Sequence, residues 1–293
     1  MSFQSGFVSI IGKPNVGKST LLNALLGEKL SIISEKVQTT RHRIKGILNK
    51  PNYQIVFSDT PGIINPKYKL QGNMMKFVNE SLTDSDLVVF MCDFDQRNEE
   101  EELFERLRAI KTPMICILNK IDGVNQDQLM AKVNFWNDMK LFKEIIPISA
   151  LNKFNVDVLL KSILSYMPVG APYYETDQLT DKSERFVASE IIREKIMVRY
   201  KEEIPYSVQV EIELFKEDKD IIHIHALIYV MRDSQKIILI GKGGSALKNV
   251  GIAARRDLEL FFKKKIFLKT FVKVKEDWRD NSKTLKDFGY ESE

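Results

Sequence analysis

Short apolar runs alternate with polar or glycine-containing segments through the first half of the chain. Each run is typical of a short buried strand, and the runs are residues 7–11, 53–58, 112–118 and 145–148. Residues 20–26 instead space their apolar side chains as a helix does, and Gly27 would end that helix. The pattern therefore predicts buried strands whose ends are followed at once by polar loops.

The second half of the chain carries longer periodic patterns. Residues 183–200 place apolar side chains among charges, as an amphipathic helix does. Two alternating stretches, 207–214 and 221–230, flank a charged turn and predict a hairpin. Residues 245–262 are helix-like, and residues 266–274 alternate apolar side chains with lysines. The last pattern predicts a strand that packs on one face only.

A stretch with two prolines and a glycine, residues 167–174, separates these halves after a helix-like segment at 156–166. We expect an extended linker from there to Asp181. The predicted organisation is a first domain at 1–170, a linker at 171–183, a second domain at 184–280 and a C-terminal tail at 281–293.

The loop after the first predicted strand has the spacing G-x-x-x-x-G-K-S, from Gly12 to Ser19. Backbone N–H groups of residues 15–19 would converge on phosphates at the N-terminus of the following helix. Lys18 would add a positive charge toward the β and γ oxygens, and the Ser19 hydroxyl would bind Mg²⁺. A simple turn between strand and helix is the alternative, and the strand–loop–helix order favours the phosphate site.

Two further segments fit a triphosphate site. Asp59 ends a predicted strand and can hold Mg²⁺ through water, while the N–H of Gly62 can sense a γ-phosphate. The polar segment 37–43 contains Thr40, whose hydroxyl would reach the metal when a γ-phosphate is present, which would make the segment a switch. Taken alone, the first segment is also a good turn and the second a solvated basic loop.

Asn119 to Asp122 follow another predicted strand. The Asp122 carboxylate can accept from the two donors on the N1 and N2 edge of guanine, a pairing that adenine lacks. A backbone N–H of residues 149–151 would donate to guanine O6. These elements together distinguish a guanine-nucleotide site from an ATP site.

Composition agrees with a two-domain globular protein, since 293 residues with 44% hydrophobic content can bury a sizeable core. Cys92 and Cys116 each lie in an apolar run, so we expect reduced thiols and a cytoplasmic protein. The N-terminus lacks the features of a signal peptide, and no apolar run approaches the length of a membrane span. His223 and His225 fall on one strand face without further ligands nearby, so we expect no metal there.

The net charge of +4 is unevenly distributed. Residues 232–275 hold twelve Lys or Arg and three acidic residues, which leaves the rest of the chain acidic. Within this basic region, Gly241-Lys242-Gly243-Gly244 precedes the helix-like segment 245–262. A Gly-x-x-Gly loop that enters a helix can clamp about four nucleotides, as in a KH domain. A tight turn and a solvated charged face are the alternatives, and the order of elements favours the KH domain.

The five loop motifs of the first half, in this order, resemble the translation-factor-related class of small GTPases. The resemblance implies an α/β P-loop GTPase domain, with a mostly parallel sheet and helices on both faces, that binds GTP, GDP and Mg²⁺. The residues that it implies for nucleotide binding are Gly12, Asn15, Val16, Gly17, Lys18, Ser19, Thr20, Asp59, Asn119, Lys120, Asp122, Ser149 and Ala150. Its metal ligands would be Ser19, Thr40 and Asp59, and its catalytic residues Asn15, Lys18, Thr40 and Gly62.

One position departs from the pattern of Ras-type enzymes. Ile63 follows Gly62 where those enzymes carry a glutamine that orients the attacking water, so intrinsic turnover should be slow. Similar GTPases with a hydrophobic residue here bind K⁺ through a phosphate-loop asparagine, and Asn15 occupies the matching position. K⁺ is therefore a hypothesised activator of hydrolysis.

The combination of GTPase and single KH domain resembles the Era family over nearly the whole chain. The stretches that carry the resemblance are residues 38–44, 59–63, 177–181, 191–195, 253–257 and 272–275. It implies a type II KH domain that binds single-stranded RNA near the 3′ end of 16S rRNA while the small (30S) ribosomal subunit matures. The expected RNA-binding residues are Gly241, Lys242, Gly243, Gly244, Lys248, Arg255 and Arg256.

The same resemblance implies a monomer and peripheral association with the cytoplasmic face of the inner membrane. Asn65 and residues 71–73 differ from the usual second switch, which affects switch coupling rather than the nucleotide site. Two other classes stay open: a metabolic P-loop enzyme, which would need further catalytic residues, and a passive RNA-binding protein with an inactive nucleotide site. Lys18, Ser19, Asp59 and Asp122 argue against the second.

Overall fold

A computed structural model describes residues 2–95 and 101–291. Its contacts divide the described residues into two compact units. Unit one comprises 2–31, 40–65 and 74–181, and unit two comprises 32–39, 66–73 and 182–291. Two short segments of the N-terminal half therefore belong to the C-terminal unit. None of the helices in the part of the chain that the structure describes has the length and apolar character to cross a membrane.

The sheet of unit one has six strands in the order β2-β3-β1-β4-β5-β6. They are β1 (Gln4–Ile11), β2 (Ile44–Lys50), β3 (Tyr53–Asp59), β4 (Leu87–Asp93), β5 (Met114–Asn119) and β6 (Glu144–Pro147). Only β2 pairs antiparallel to its neighbour. The central strands are buried along nearly their whole length, as the continuous apolar runs predicted. The mostly parallel α/β fold is confirmed.

Five helices of the N-terminal half accompany this sheet. They are α1 (Lys18–Leu26), α2 (Lys69–Thr83), α3 (Glu101–Arg108), α4 (Gln126–Asp138) and α5 (Val156–Ser165). Gly27 ends α1 as predicted, with φ at 75°. Trp136 is fully buried between the rings of Phe90 and Phe104, which anchors α4 and α3 on the sheet. Cys92 and Cys116 are buried free thiols in this core.

The segment expected to be an extended linker is bound to the sheet edge of unit one. The Gln54 side chain accepts from the N–H groups of Tyr173 and Tyr174, and Thr180 bridges Gly46 on β2. These bonds satisfy polar groups at the edge of the sheet. Residues 173–181 are therefore held along β2 and β3 as part of unit one.

Unit two is built on a three-stranded sheet, in the order β7-β8-β9, with its longer helices on one face. Its C-terminal segment packs at one end of the opposite face, where Phe288 contacts Tyr229. Its elements are α6 (Glu184–Arg199), α7 (Ile204–Ser207), β7 (Gln209–Glu217), β8 (Ile221–Val230), α8 (Asp233–Ile240), α9 (Ser245–Phe262), β9 (Lys265–Val274) and α10 (Ser282–Asp287). Strands β7 and β8 are antiparallel, and β8 and β9 are parallel. The predicted helices, hairpin and one-sided strand are confirmed, although β7 runs to Glu217 because its ladder continues opposite Ile222.

The residues predicted as a C-terminal tail pack within unit two. Leu285 and Tyr290 of that segment are buried, the Tyr290 hydroxyl donates to Gln209 Oε1 at 2.7 Å, and the Tyr290 ring stacks on Trp278 of the predicted second domain. Residues 292 and 293 of that prediction lie outside the described residues. The C-terminal segment therefore closes the end of unit two where α7 leads into β7.

The segments 32–39 and 66–73 are held in unit two by hydrogen bonds. Buried Arg193 on α6 donates to Thr39 O at 2.5 Å, and Glu194 Oε1 accepts from the Ile33 N–H at 3.0 Å. The Leu70 N–H donates to Arg279 O at 3.0 Å. Because α6 and the C-terminal segment supply these partners, both short segments are anchored by residues far away in sequence.

Candidate functional site

The phosphate-loop candidate connects β1 to α1, and α1 begins at Lys18 with Gly17 as its N-cap. Gly17 and Asn15 both have positive φ, at 104° and 65°. Val16 is fully buried, and Thr20 lies in the first turn of α1. The loop thus presents the N-terminus of a nine-residue helix, which favours an anion.

Lys18 lies buried against this loop. Its Nζ donates to Gly12 O at 3.1 Å and to Lys13 O at 2.9 Å. Burial lowers the pKa of Lys18 to about 8, and the charge of Asp59 opposes that shift. The amine is therefore fixed on the loop by backbone carbonyls, at the place where the sequence predicts phosphates.

The three predicted metal ligands come together in unit one. Ser19 Oγ donates to Asp59 Oδ2 at 2.7 Å and lies 3.0 Å from Thr40 Oγ1, and Thr40 Oγ1 lies 3.5 Å from the same Asp59 oxygen. Burial raises the pKa of Asp59, while the Ser19 hydrogen bond and the Lys18 charge oppose the rise.

The second oxygen of the Asp59 carboxylate tests whether a cation fits. Oδ1 is buried and has no partner at normal hydrogen-bond geometry among the described residues, although the buried Ser31 hydroxyl lies near enough to the carboxylate to lower its pKa. An unsatisfied buried carboxylate oxygen is costly, and two hydroxyls beside it complete a set of hard oxygen atoms. Ser19, Thr40 and Asp59 therefore fit Mg²⁺.

Gly62 lies against the phosphate loop. A Cβ added to it would meet Pro14 at 2.7 Å, and the next N–H, of Ile63, donates to Gly12 O at 3.0 Å. Only glycine permits this approach. The Ile63 side chain packs on the apolar cluster around Trp136, so it offers no polar group for orienting water.

The predicted base-binding residues lie on the loops after β5 and β6. Asn119 Nδ2 donates to Val16 O at 2.7 Å, and Asn119 Oδ1 accepts from the Ala150 N–H at 2.9 Å. Asn119 therefore ties the phosphate loop to the Ser149-Ala150 loop. One of the N–H groups expected to meet guanine O6 is thus engaged with Asn119 in this structure.

Asp122 stands exposed beside these loops. A hydrogen bond from Ser149 lowers its pKa, and Asn152 Nδ2 donates to its Oδ1 at 2.5 Å. Lys120 forms an ion pair of 2.6 Å with Asp93. The sequence motifs do not include Asn152 or Asp93. The Ser149-x-x-Asn152 spacing nevertheless allows the turn in which Ser149 Oγ accepts from the Asn152 N–H.

The Gly-Lys-Gly-Gly loop of unit two lies between α8 and α9. Gly243 has φ at 58°, and a Cβ there would meet nothing within 4 Å. The side chains of Lys242, Lys248, Arg255 and Arg256 are exposed. Lys248 and Arg255 are seven residues apart and share one face of α9, which leads away from the loop. The loop and this face form an open basic surface.

No group of three His, Cys, Asp or Glu residues suited to a metal occurs in the described part of the chain. His223 instead lies against Phe267, with ring centroids 5.3 Å apart, and 3.6 Å from Asp218. The metal candidates are thus the oxygen atoms of unit one.

Comparisons with known proteins cover both units. The model of the family "50S ribosome-binding GTPase" matches residues 7–120, and that of the KH domain matches residues 203–279. GTPase Era of Alkaliphilus metalliredigens is 47% identical over 99% of this chain and 100% of its own length.

Two solved structures are similar over the same length. Era in complex with MgGDPNP and nucleotides 1506–1542 of 16S ribosomal RNA is 41% identical, with a TM-score of 0.94, over 99% of this chain and 100% of that one. An Aquifex aeolicus Era variant bound to GDP and AlF4⁻ is 40% identical, with a TM-score of 0.95 and the same coverage.

Proposed function

The chain belongs to the Era family of GTPases, and from that premise we propose that it is a GTP-dependent switch that binds 16S rRNA near its 3′ end while the 30S subunit matures. The observation that supports the switch is that the Ser19 and Thr40 hydroxyls meet at one oxygen of the buried Asp59 carboxylate, beside its second oxygen, which has no hydrogen-bond partner among the described residues. Thr40 belongs to the segment that the sequence predicts to be a switch.

The residues of unit one divide the work of hydrolysis. Ser19, Thr40 and Asp59 would hold Mg²⁺, which would supply positive charge to neutralise the charge that develops on the phosphates. Lys18 holds its ammonium toward the same oxygens, and the N-terminus of α1 favours the β-phosphate. Gly62 lies against Pro14 of the phosphate loop, and its N–H would donate a hydrogen bond to a γ-phosphate. Ile63 cannot orient water, so turnover without help is slow.

Coupling between nucleotide and RNA follows from two consecutive threonines. The Thr40 hydroxyl belongs to the metal set of unit one, whereas the carbonyl of Thr39 accepts from Arg193 in unit two. If a γ-phosphate and Mg²⁺ order Thr40, they would also restrict the neighbouring segment 32–39, which hydrogen bonds hold in unit two. We expect RNA to bind more tightly in the GTP state than in the GDP state.

The Gly-Lys-Gly-Gly loop and the basic face of α9 are the RNA candidates of unit two. Such a loop clamps about four nucleotides. The RNA in the complex of the relative comprises nucleotides 1506–1542, so an RNA of that kind extends well beyond one loop. For this chain, the proposed ligand of the loop is a short single strand copied from the 3′ end of 16S rRNA.

GTP hydrolysis in K⁺ buffer, with and without that RNA, tests the proposal, with Gly243→Asp as the control. We expect RNA to stimulate the unchanged protein and not the variant, whose new carboxylate repels phosphates. RNA affinity is measured with GDP and with a non-hydrolysable GTP analogue, and equal affinities refute the coupling. An absence of GTP turnover with both RNA and K⁺ would assign the chain to the passive RNA-binding class.

Activation by K⁺ is a separate prediction that rests on Asn15. Its backbone has φ at 65°, and its side chain is exposed on the phosphate loop. We expect hydrolysis to be faster in K⁺ than in Na⁺, and Asn15→Ala to reduce the ratio of the two rates toward one. Equal rates of the unchanged protein in the two salts remove the idea.

Three further properties follow from membership of the family and are proposals for this chain. The 30S subunit is its macromolecular partner, the free protein is a monomer, and it associates peripherally with membranes from the cytoplasm. Co-sedimentation with 30S subunits tests the partner. Light scattering measures the molar mass of the free protein, and flotation with anionic vesicles measures its membrane association.

A further inference from the structure

The sheet of unit two has an outer face, opposite α6, α8 and α9, on which β9 leaves large side chains exposed. The C-terminal segment covers the end of this face at Tyr229. Alternate residues of β9 point inward, where Ile266 joins the core with α6 and α9. The other residues of β9 point outward and are exposed, in the order Lys265, Phe267, Lys269, Phe271, Lys273. The sequence predicted lysines on this face, and the structure adds two phenylalanines between them.

The two rings on β9 are large apolar groups left in solvent. Phe267 is 42% exposed and Phe271 is 46% exposed. Along β8, His223 lies beside Phe267 and His225 beside Phe271, with ring centroids 5.3 and 6.3 Å apart. Phe267 and Phe271 are four residues apart, which places them about 13 Å from each other along β9. The exposed part of each ring is open to a further planar group.

Charge across this face is graded. The lysines of β9 occupy one edge of the sheet, and Lys269 Nζ lies 5.4 Å from the centroid of Phe267. Glu211 and Glu213 lie at the opposite edge, on β7, where burial and the charge of Glu211 raise the pKa of Tyr229 to about 12. A polyanion is therefore favoured along β8 and β9 and repelled from β7.

We propose that the outer face of β8 and β9 is a second RNA-binding surface, which stacks unpaired bases on Phe267 and Phe271 and neutralises phosphates with Lys265, Lys269 and Lys273. Aromatic rings interleaved with cations suit single-stranded nucleic acid, because every base offers a flat face and every nucleotide one charge. A protein partner would favour a continuous apolar patch, whereas here a lysine precedes and follows each ring.

This surface is distinct from the Gly-Lys-Gly-Gly loop. The loop joins α8 to α9, and the helices pack on the inner face of the sheet. An RNA of about four nucleotides occupies the loop alone, whereas a longer strand continues past the sheet edge at β9 onto the outer face. The inference rests on the proposed RNA-binding function and adds a site to it.

The test uses the full chain and two RNA probes from the 3′ end of 16S rRNA, one of five nucleotides and one of about 35. The variant Phe267→Ala/Phe271→Ala is compared with Phe135→Ala/Phe154→Ala, which removes two exposed rings from unit one. We expect the first variant to bind the long RNA about 10–100-fold more weakly and the short RNA unchanged, because stacking is lost at two bases. The control should bind both RNAs normally.

A charge variant gives an independent readout. Changing Lys265, Lys269 and Lys273 to Gln should reduce the salt dependence of long-RNA binding, with a slope lower by about two, since each phosphate contact contributes about 0.7. The matched control changes the exposed Lys140, Lys153 and Lys161 to Gln, and its slope should not differ from that of the unchanged protein.

The two proposals fail in different ways. If the unchanged protein does not bind the short RNA, the RNA-binding function of the loop is removed. If it binds the short RNA but the phenylalanine variant keeps full affinity for the long one, the outer face is not an RNA site. Thermal unfolding of each variant, together with its short-RNA affinity, separates loss of binding from loss of folding.

Discussion

Each unit of this protein buries a polar cluster, and the two clusters differ in what completes them. In unit two, Arg193 pairs with both oxygens of Glu190 and also donates to Thr39 O, so protein atoms surround it. In unit one, Asp59 accepts from Ser19 with one oxygen, while the other oxygen is buried without a hydrogen bond from the described residues. In the first cluster, protein atoms satisfy the charged groups, so its role is structural. The second is complete only with a ligand.

The difference shows how a nucleotide site can be recognised without a bound nucleotide. Buried polar atoms are almost always hydrogen-bonded, so each exception calls for a physical reason. Asp59 Oδ1 lacks a hydrogen bond at the place where the oxygen atoms of Ser19, Thr40 and Asp59 fit Mg²⁺, so a bound cation would satisfy it. Removing the Arg193 side chain should therefore lower the free energy of unfolding. Removing the charge of Asp59 should raise it in the protein without ligand.

Arg193→Leu carries the largest expected effect. It leaves Glu190 as a buried carboxylate without its guanidinium, and it frees the carbonyl of Thr39. We expect the free energy of unfolding to fall by about 3–5 kcal/mol, as for other broken buried pairs. Urea unfolding of the full chain measures it, and Arg199→Leu, an exposed position on the same helix, is the control. Equal losses in the two variants would show that the Arg193 cluster is not a stabilising contact.

Asp59→Asn tests the incomplete cluster and should change activity and stability in opposite directions. GTP hydrolysis should fall by about 10²–10³-fold, because the metal loses a charged partner. Burial raises the pKa of Asp59 in the folded state, so its ionised form opposes folding above that pKa, and stability increases as the pH falls toward it. We therefore expect the nucleotide-free variant to be more stable at pH 7, by about 0.5–2 kcal/mol.

Steady-state hydrolysis and urea unfolding, both with and without Mg²⁺, check these expectations. The exposed Asp138→Asn variant is the control for a general loss of negative charge. If Asp59→Asn destabilised the nucleotide-free protein, the unsatisfied carboxylate would not be a cost that the ligand relieves. The comparison between the two clusters would then fail.

The fold of each unit could be predicted from the sequence where the signal was local. Continuous apolar runs identified β1, β3, β5 and β6 of unit one, whereas β2 was not predicted. The α9 boundaries at 245 and 262 were correct because glycines precede the helix and the alternating pattern of 266–274 begins soon after it. The pattern of residues 236–240 predicts neither a strand nor a helix, because one lysine followed by four apolar residues fits both. The structure places these residues in α8.

The part of the site that the sequence could not provide depends on distant partners. The motifs named Asn119, but its bonds to Val16 O and to the Ala150 N–H join loops that are far apart in the chain. In the same way, the segments 32–39 and 66–73 belong to unit two only because α6 and the C-terminal residues bind them. Periodicity predicts which face of an element is buried, and it does not say what that face meets.

The smallest expected effect concerns Lys18, whose charge belongs to the incomplete cluster. Burial lowers its pKa to about 8 in the nucleotide-free protein, so the amine is mostly protonated at pH 7 and mostly neutral at pH 9. Phosphate oxygens favour the ammonium, so GTP binding at pH 9 should take up a proton. Affinity should fall up to about tenfold per pH unit above 8, which corresponds to about 1.4 kcal/mol.

Titration calorimetry in two buffers of different ionisation enthalpy measures the proton uptake. Lys18→Met should abolish the uptake, whereas Lys13→Met should retain it. Proton uptake that does not depend on Lys18 would mean that another group titrates on binding. The buried amine would then be a completed contact, like Arg193, rather than a group that awaits phosphate.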